Sequence, residues 1–306
     1  MDDALSEIFK RIRLKSCVYF QRDFFAPWAM DIRDTGMAQF HVVTRGHCIV
    51  RVEGEVCHLS AGDVIVFPHG APHLLADAEG REPVPGKKVM ESFGGEAPMF
   101  ATGSHATRLI CGHYEYHDVL RHPVVDELPS FIHIPSLDPS ISDSVQSLLS
   151  ILMQEMAAAE PGMSSVVERL AEVLLVQVIR AYFSAQPRSQ GFFAGLQDHR
   201  LAKAFTRIHN DAHGSLSLDE LARAAGMSRS GFAQQFKETV GLSPIEYHAK
   251  WRLFTAAHFL ETGDMKLARI AEQVGYESDS AFSRAFKREF SISPSEYRRR
   301  VAVVTP

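Results

Sequence analysis

The sequence predicts a two-domain α+β protein: a front β-barrel with a helical hairpin behind it, then an all-α domain with two helix-turn-helix units. Three observations carry this reading. Short β-branched and aromatic runs, punctuated by glycine, fill residues 17–115. Long apolar stripes at helical spacing begin near residue 139. Near the C-terminus the chain repeats itself: GMSRSGFAQQFKETVGLSPIEYHAK (226–250) is followed by GYESDSAFSRAFKREFSISPSEYRRR (275–300).

The runs FHVVTRG, HCIVRVEGEVCHL, DVIVFPHGAPHLL and TRLICGHYEYH are broken by Gly46, Gly54, Gly62, Gly70 and Gly112, a spacing that suits an antiparallel barrel or sandwich. The stripes SISDSVQSLLSILMQEMAAA and SSVVERLAEVLLVQVIRAYFSAQ are interrupted by Glu160-Pro161-Gly162 and read as a helical hairpin. Val173, Leu174, Leu175, Val176, Val178 and Ile179 leave it little polar face, which suits a core helix, a subunit interface, or both. Pro187, Ser189 and Gly191 mark a linker. The expected boundaries are 1–138 for an effector-sensing barrel, 139–186 for a dimerising hairpin, 187–195 for the linker and 196–306 for the helical domain.

Bulk properties narrow the function. The 306 residues are 45% hydrophobic and 23% charged, an ordinary globular composition long enough for two domains. Cys17, Cys48, Cys57 and Cys111 are scattered without a CxxC pair, as expected for reduced thiols in a cytoplasmic protein. The N-terminal stretch has no apolar signal region, and no apolar run approaches the roughly 18 residues of a membrane span. Residues 196–306 hold 16 Lys+Arg against 13 Asp+Glu, while the other 195 hold 16 against 24. That split points to a polyanion partner for the back part alone.

In the repeat, Leu221-Ala222 and Gly226 match Ile270-Ala271 and Gly275; Phe232, Phe236, Lys237 and Tyr247 match Phe282, Phe286, Lys287 and Tyr297. Each position has a task. A small Ala lets a second helix cross closely, and Gly ends the first helix in the left-handed region. Ser228, and Ser278 or Asp279, cap the second helix. The i, i+4 phenylalanines bury one face and free the other. SPIE (243–246) and SPSE (293–296) are capping boxes with Pro at the first helical position. A helix from Pro244 to about Thr262 spans roughly 28 Å at 1.5 Å per residue. That is close to the ~34 Å between successive major-groove faces, so one chain could set two reading helices one turn apart.

Residues 198–300 resemble the DNA-binding domain of AraC-type transcription regulators, through LARAAGMSRSGFAQQFKETVGLSPIEY, WRLFTAAHFLE and IAEQVGYESDSAFSRAFKREFSISPSEYR. One departure is Ser291, where that family usually has Gly. The resemblance implies base contacts by Ser230, Ala233 and Gln234 from the first unit. From the second it implies base contacts by Asp279, Ser280, Ser283 and Arg284. Gln can pair with adenine and Arg with guanine. Arg229, Lys237, Lys287 and Arg288 are placed for phosphates, which position a protein without carrying sequence information.

GDVIVFPHGAPH, with Gly62, Pro68, Gly70 and His73, resembles the second motif of cupins, a small β-barrel superfamily. The first cupin motif departs: Gln39 stands where Glu is expected, and no His-x-His lies upstream. His41, His69, His73 and Cys111 form an alternative set that would suit Zn²⁺ or a small effector. The expected function is a sequence-specific transcription regulator, not an enzyme. It would bind double-stranded DNA, answer a small-molecule effector through its barrel, and dimerise through its hairpin. The competing reading is a metal-dependent cupin enzyme with a DNA-binding tail, but no paired carboxylates, nucleophile motif or phosphate loop supports it.

Overall fold

The structure is a computed structural model that describes residues 3–12, 14–33, 36–115, 123–136, 142–185, 190–211 and 216–304. The expected boundary at 138/139 and the first residues of the expected linker (187–189) lie outside the described residues. The chain divides into two compact units: residues 14–116 with 128–186, and residues 1–13 with 117–127 and 187–306. These differ from the expected boundaries, because two short front segments group with the C-terminal helices.

Among the described residues the first unit contains ten strands and three helices. In order they are β1 (Lys15–Phe25), β2 (Ala29–Ile32), β3 (Ala38–Arg45), β4 (His47–Val52), β5 (Glu55–Ser60), β6 (Val64–Phe67), β7 (His73–Ala76) and β8 (Val84–Pro85). Helix α2 (Gly86–Ser92), β9 (Ala106–Glu115), β10 (Ile132–Ile134), α4 (Ser142–Ala158) and α5 (Met163–Ala185) follow. Helices α1 (Ala4–Ile12) and α3 (Pro123–Asp126), although early in the chain, belong to the second unit; the strand-bearing unit thus keeps α2, α4 and α5 as its helices.

The strands form two five-stranded sheets, ordered β1-β9-β3-β6-β10 and β5-β4-β7-β2-β8. Among the described residues the sheets do not close on one another, so the expected closed barrel is corrected to a pair of open sheets. The reason is visible at Gly46. The chain turns there with φ 78°, and β3 and β4 join different sheets instead of pairing as a hairpin. A Cβ on Gly46 would lie 2.7 Å from the Ala106 carbonyl oxygen, so the tight approach excludes any larger residue.

The core lies between the sheets. Phe24, Val43, Ile65, Phe67 and Leu109 from one meet Met30, Val50, Val52, Leu59 and Leu75 from the other. They alternate along β4 (Val50, Val52) and β6 (Ile65, Phe67), as successive side chains of a strand point to opposite faces. Gly62 turns the chain with φ 94°, and the next residue, Asp63, accepts hydrogen bonds from the backbone N–H of Ser60 (3.1 Å) and Ser136 (2.7 Å). The opposite face of the first sheet carries α5. Tyr114 donates its hydroxyl to the Ala171 carbonyl (3.0 Å), and Ser16 donates to that of Glu168 (2.6 Å). Leu174, Leu175, Val178 and Ile179 are buried accordingly, whereas Val173 and Val166 on α5 and Ile151 on α4 stay exposed.

The second unit is helical. After α1 and α3 come α6 (Phe192–Gln197), α7 (His199–Asn210), α8 (Leu218–Ala225), α9 (Arg229–Val240), α10 (Pro244–Thr262), α11 (Leu267–Gln273), α12 (Asp279–Phe290) and α13 (Pro294–Val304). The end of the expected linker is therefore structured: Phe192 and Phe193 are buried, because an FF pair is too apolar to leave in water. Ala4, Ile8 and Ile12 make α1 a one-sided apolar helix, and all three are buried. The Ala4 carbonyl meets His209 Nδ1 at 3.0 Å, and the Arg11 guanidinium lies over the Trp251 ring on α10, 4.6 Å from its centroid.

Candidate nucleic-acid interface

The interface is built from two helix pairs, α8–α9 and α11–α12, on one frame. In the first, Ser217 and Glu220 form a capping box that starts α8. Gly226 ends it in the left-handed region at φ 68°, and the Met227 N–H returns to the Ala222 carbonyl at 2.9 Å. Ser228 then caps α9 by accepting from the Gly231 N–H. The second pair repeats this: Gly275 has φ 71°, the Tyr276 N–H returns to Ala271, and Ser278, not Asp279, caps α12 through the Ala281 N–H.

Phe232, Phe236, Phe282 and Phe286 are fully buried. Phe236 packs against Tyr247 (ring centroids 5.9 Å apart) and Phe286 against Tyr297 (5.6 Å), so each pair sits on the tyrosine that follows its own capping serine. Between them runs α10, Pro244–Thr262, with the predicted bounds and the predicted capping box of Ser243 and Glu246. The second pair is clamped to α10 by Arg252, which donates to the Val274 and Gly275 carbonyls and lies over the Tyr276 ring. Lys250 adds an ion pair to Glu289 on α12.

What faces outward follows from what faces in. Ser230, Gln234, Asp279, Ser280 and Arg284 are exposed; Ala233 and Ser283 are half-buried at the foot of the same faces. Arg229, Lys237, Lys287 and Arg288 are exposed as well. Two contacts were not anticipated from sequence. Arg229 pairs with Asp219 on α8 at 3.3 Å, and Gln234 Nε2 donates to Glu238 Oε1 at 2.9 Å. The i, i+4 spacing of Gln234 and Glu238 was the available signal for the second. Among the described residues Arg284, Lys287 and Arg288 have no ion pair.

The sheet unit holds the other candidate residues. His41 on β3 and His73 on β7 bridge the two sheets, Nε2 to Nε2, at 2.8 Å; His41 Nδ1 meets Cys111 Sγ on β9 at 3.0 Å. His73 Nδ1 faces the Ala71 carbonyl at 2.8 Å and so carries its proton. His73 Nε2 is then an acceptor, His41 Nε2 a donor, and His41 Nδ1 the acceptor for the Cys111 thiol. The result is one directed chain, Cys111 to His41 to His73 to Ala71, with every member neutral. Burial holds His73 at about 4 and His41 well below the ordinary imidazole range, and burial pushes the Cys111 thiol well up. His69 stands apart, its Nε2 on the Leu128 carbonyl at 2.9 Å.

This arrangement does not fit a zinc centre made from the four residues. His41 spends its two ring nitrogens in opposite directions, so His73 and Cys111 cannot converge on one ion with it. Among the described residues no group of three or more His, Cys, Asp or Glu is placed to hold a metal. No described helix is long and apolar enough to cross a membrane.

Comparisons with known proteins match the front and back parts of the chain to two different domains. Residues 3–184 match the cupin family model, and residues 221–300 match a helix-turn-helix domain model. A putative AraC-like transcription regulator of Streptomyces antibioticus is 32% identical over 97% of this chain and 98% of its own. An uncharacterized HTH-type transcriptional regulator of Haemophilus influenzae is 29% identical over 98% and 100%. Among solved structures, the DNA-binding domain of AdpA in complex with a target DNA is 28% identical, covering 34% of this chain and 95% of that one with a TM-score of 0.33. With a cupin domain in front and a helix-turn-helix domain behind, the chain belongs to the AraC-type family of DNA-binding transcription regulators.

Proposed function

We propose that the two helix pairs act as two helix-turn-helix units that read adjacent major-groove segments of one duplex, making this cytoplasmic regulator sequence-specific through a single chain. In this reading Ser230, Ala233 and Gln234 on α9, and Asp279, Ser280, Ser283 and Arg284 on α12, meet base edges. Arg229, Lys237, Lys287 and Arg288 meet phosphates. The observation that carries the proposal is the matched exposure of α9 and α12: residues 231–238 and 281–288 have the same order of buried, half-buried and exposed positions. Two faces kept clear in the same way, on one rigid rod, suit one partner with a repeating groove.

The sheet unit is the effector sensor in this reading, with the His41–His73–Cys111 chain as its polar centre. The hairpin α4–α5 joins two copies through the apolar side chains of Ile151, Val166 and Val173, which its own unit leaves exposed. An effector would act by shifting the population of dimer arrangements that suit two half-sites.

The test is a titration of the whole chain on a selected duplex and on a scrambled one. Arg284→Ala should lose about 1–3 kcal/mol on the selected duplex and little on the scrambled one. Equal loss on both would contradict the base-reading role.

A further inference from the structure

We propose that Glu238 sets the base preference of the first reading helix, so that α9 selects adenine while α12 selects guanine. This rests on the reading of Gln234 and Arg284 as base contacts and extends it to the chemistry each helix accepts.

The starting observation is the 2.9 Å contact between Gln234 Nε2 and Glu238 Oε1. A carboxylate only accepts hydrogen bonds, so it fixes which end of the Gln234 amide it holds. The NH₂ turns toward Glu238, one helical turn further on, and the carbonyl oxygen is left facing outward with the second N–H. Both residues are exposed and line one open surface depression of about 610 Å³ with Lys237, so the pair is reachable as a unit.

An outward acceptor beside one remaining donor matches the major-groove edge of adenine, which offers an N6 amine and the N7 acceptor. Cytosine offers the N4 amine without a neighbouring acceptor and fills half of that pattern. Guanine presents only acceptors there, O6 and N7, and these would face the carboxylate of Glu238 across a short gap. The acid therefore does two things: it pre-orients the amide and it repels the wrong edge.

The repeat supplies an internal control. At an offset of fifty residues, Gln234 and Glu238 correspond to Arg284 and Arg288. That pair carries only donors, and among the described residues neither arginine is neutralised by an ion pair. The Arg284 fork complements the acceptor edge of guanine, and Arg288, placed for phosphate, sets no acceptor beside it. One scaffold thus presents opposite hydrogen-bond polarity at equivalent places.

The experiment is selection of bound duplexes from a random pool by the full chain and by its Glu238→Ala and Glu238→Arg variants, all at one salt concentration, with base preference read at each position. The wild type should prefer adenine over guanine by about 5- to 150-fold at one position of the half-site under α9. Glu238→Ala should lower that preference several-fold at that position alone, and Glu238→Arg should move it toward guanine. An unchanged preference in both variants, or a uniform change at all positions, would overturn the inference while leaving the two-unit reading intact. A wild type that recovers no preferred sequence would instead defeat the two-unit reading itself. Glu238 is solvent-exposed, and an unchanged helical circular dichroism signal verifies that both variants are folded.

Discussion

Helices α9 and α12 bury the same residue type at the same places and differ at most of their outward positions. Each places a serine at its cap, two phenylalanines four apart on its inner face, and a tyrosine beneath the second of them. Outside that shared frame, α9 begins with Arg229 and carries Gln234 and Glu238, while α12 begins with Asp279 and carries Arg284 and Arg288. Even the supports diverge. The Tyr247 hydroxyl rests on His209 Nε2 at 2.7 Å, whereas the Tyr297 hydroxyl donates to Glu261. The inner face is what a helix needs to hold its place, and the outer face is what it needs to recognise something. Under the proposed reading, holding the first constant while varying the second would let one motif yield two specificities.

If the inner faces are equivalent, removing the same ring from each should do the same damage. Phe236→Ala and Phe286→Ala should each destabilise the helical unit by about 3–5 kcal/mol, read from denaturant unfolding. A difference between them larger than about 2 kcal/mol would break the equivalence.

Acid should then separate the two supports. His209 is stacked on Trp251 (centroids 3.9 Å apart), and burial lowers its pKa to about 3. Unfolded, the same imidazole takes a proton near its ordinary 6.5. The unfolded state therefore binds the extra proton throughout that interval. Stability present above pH 6.5 is lost as the pH falls toward 3, by up to roughly 5 kcal/mol from this group. Amide exchange should show the α9 pair opening at a higher pH than the α12 pair, with Trp251 fluorescence changing in step. Simultaneous opening would show that Tyr297 and Glu261 are no better protected.

A smaller effect distinguishes bases from phosphates on α12. Lys287→Ala should weaken binding to selected and scrambled duplexes alike and flatten the salt dependence by about one unit. A loss confined to the selected duplex would move Lys287 from phosphate to base. Smallest is the helix end. Gly241 closes α9 at φ 81° and Ser291 closes α12 at φ 62°, both left-handed. Ser291→Gly should stabilise by about 1 kcal/mol, and Gly241→Ser should cost a similar amount. A Cβ at Gly241 meets nothing within 4 Å, so its backbone angle alone is tested.

Much of this was legible in the sequence because the repeat is local. Caps, glycines and phenylalanines act within a few residues of themselves, so Ser228, Gly226, Phe232 and the bounds of α10 could be read directly. Harder to read were contacts that depend on distant chain. Arg252 finds the carbonyls of Val274 and Gly275 only after α11 has folded back on α10. The first helix shows its Ala4, Ile8 and Ile12 stripe, yet nothing nearby says that it covers the helical unit. The strands were legible from β-branched and aromatic runs and glycine spacing, but not which sheet each joins: Gly46 looks like a hairpin turn and is a crossing between sheets. Of the four candidates in the sheet unit, His41, His73 and Cys111 come together. His69, four residues before His73, does not join them, because it is held by the Leu128 carbonyl.

The central claim is that one chain places two reading helices against successive grooves of the same duplex. Hydroxyl-radical footprinting of the full chain on a selected site measures this most directly. Each half-site should show two protected segments about ten base pairs apart on one face of the DNA. Arg284→Ala should weaken the one under α12 more than the one under α9. A single protected segment for each half-site, or two segments on opposite faces, would contradict the account.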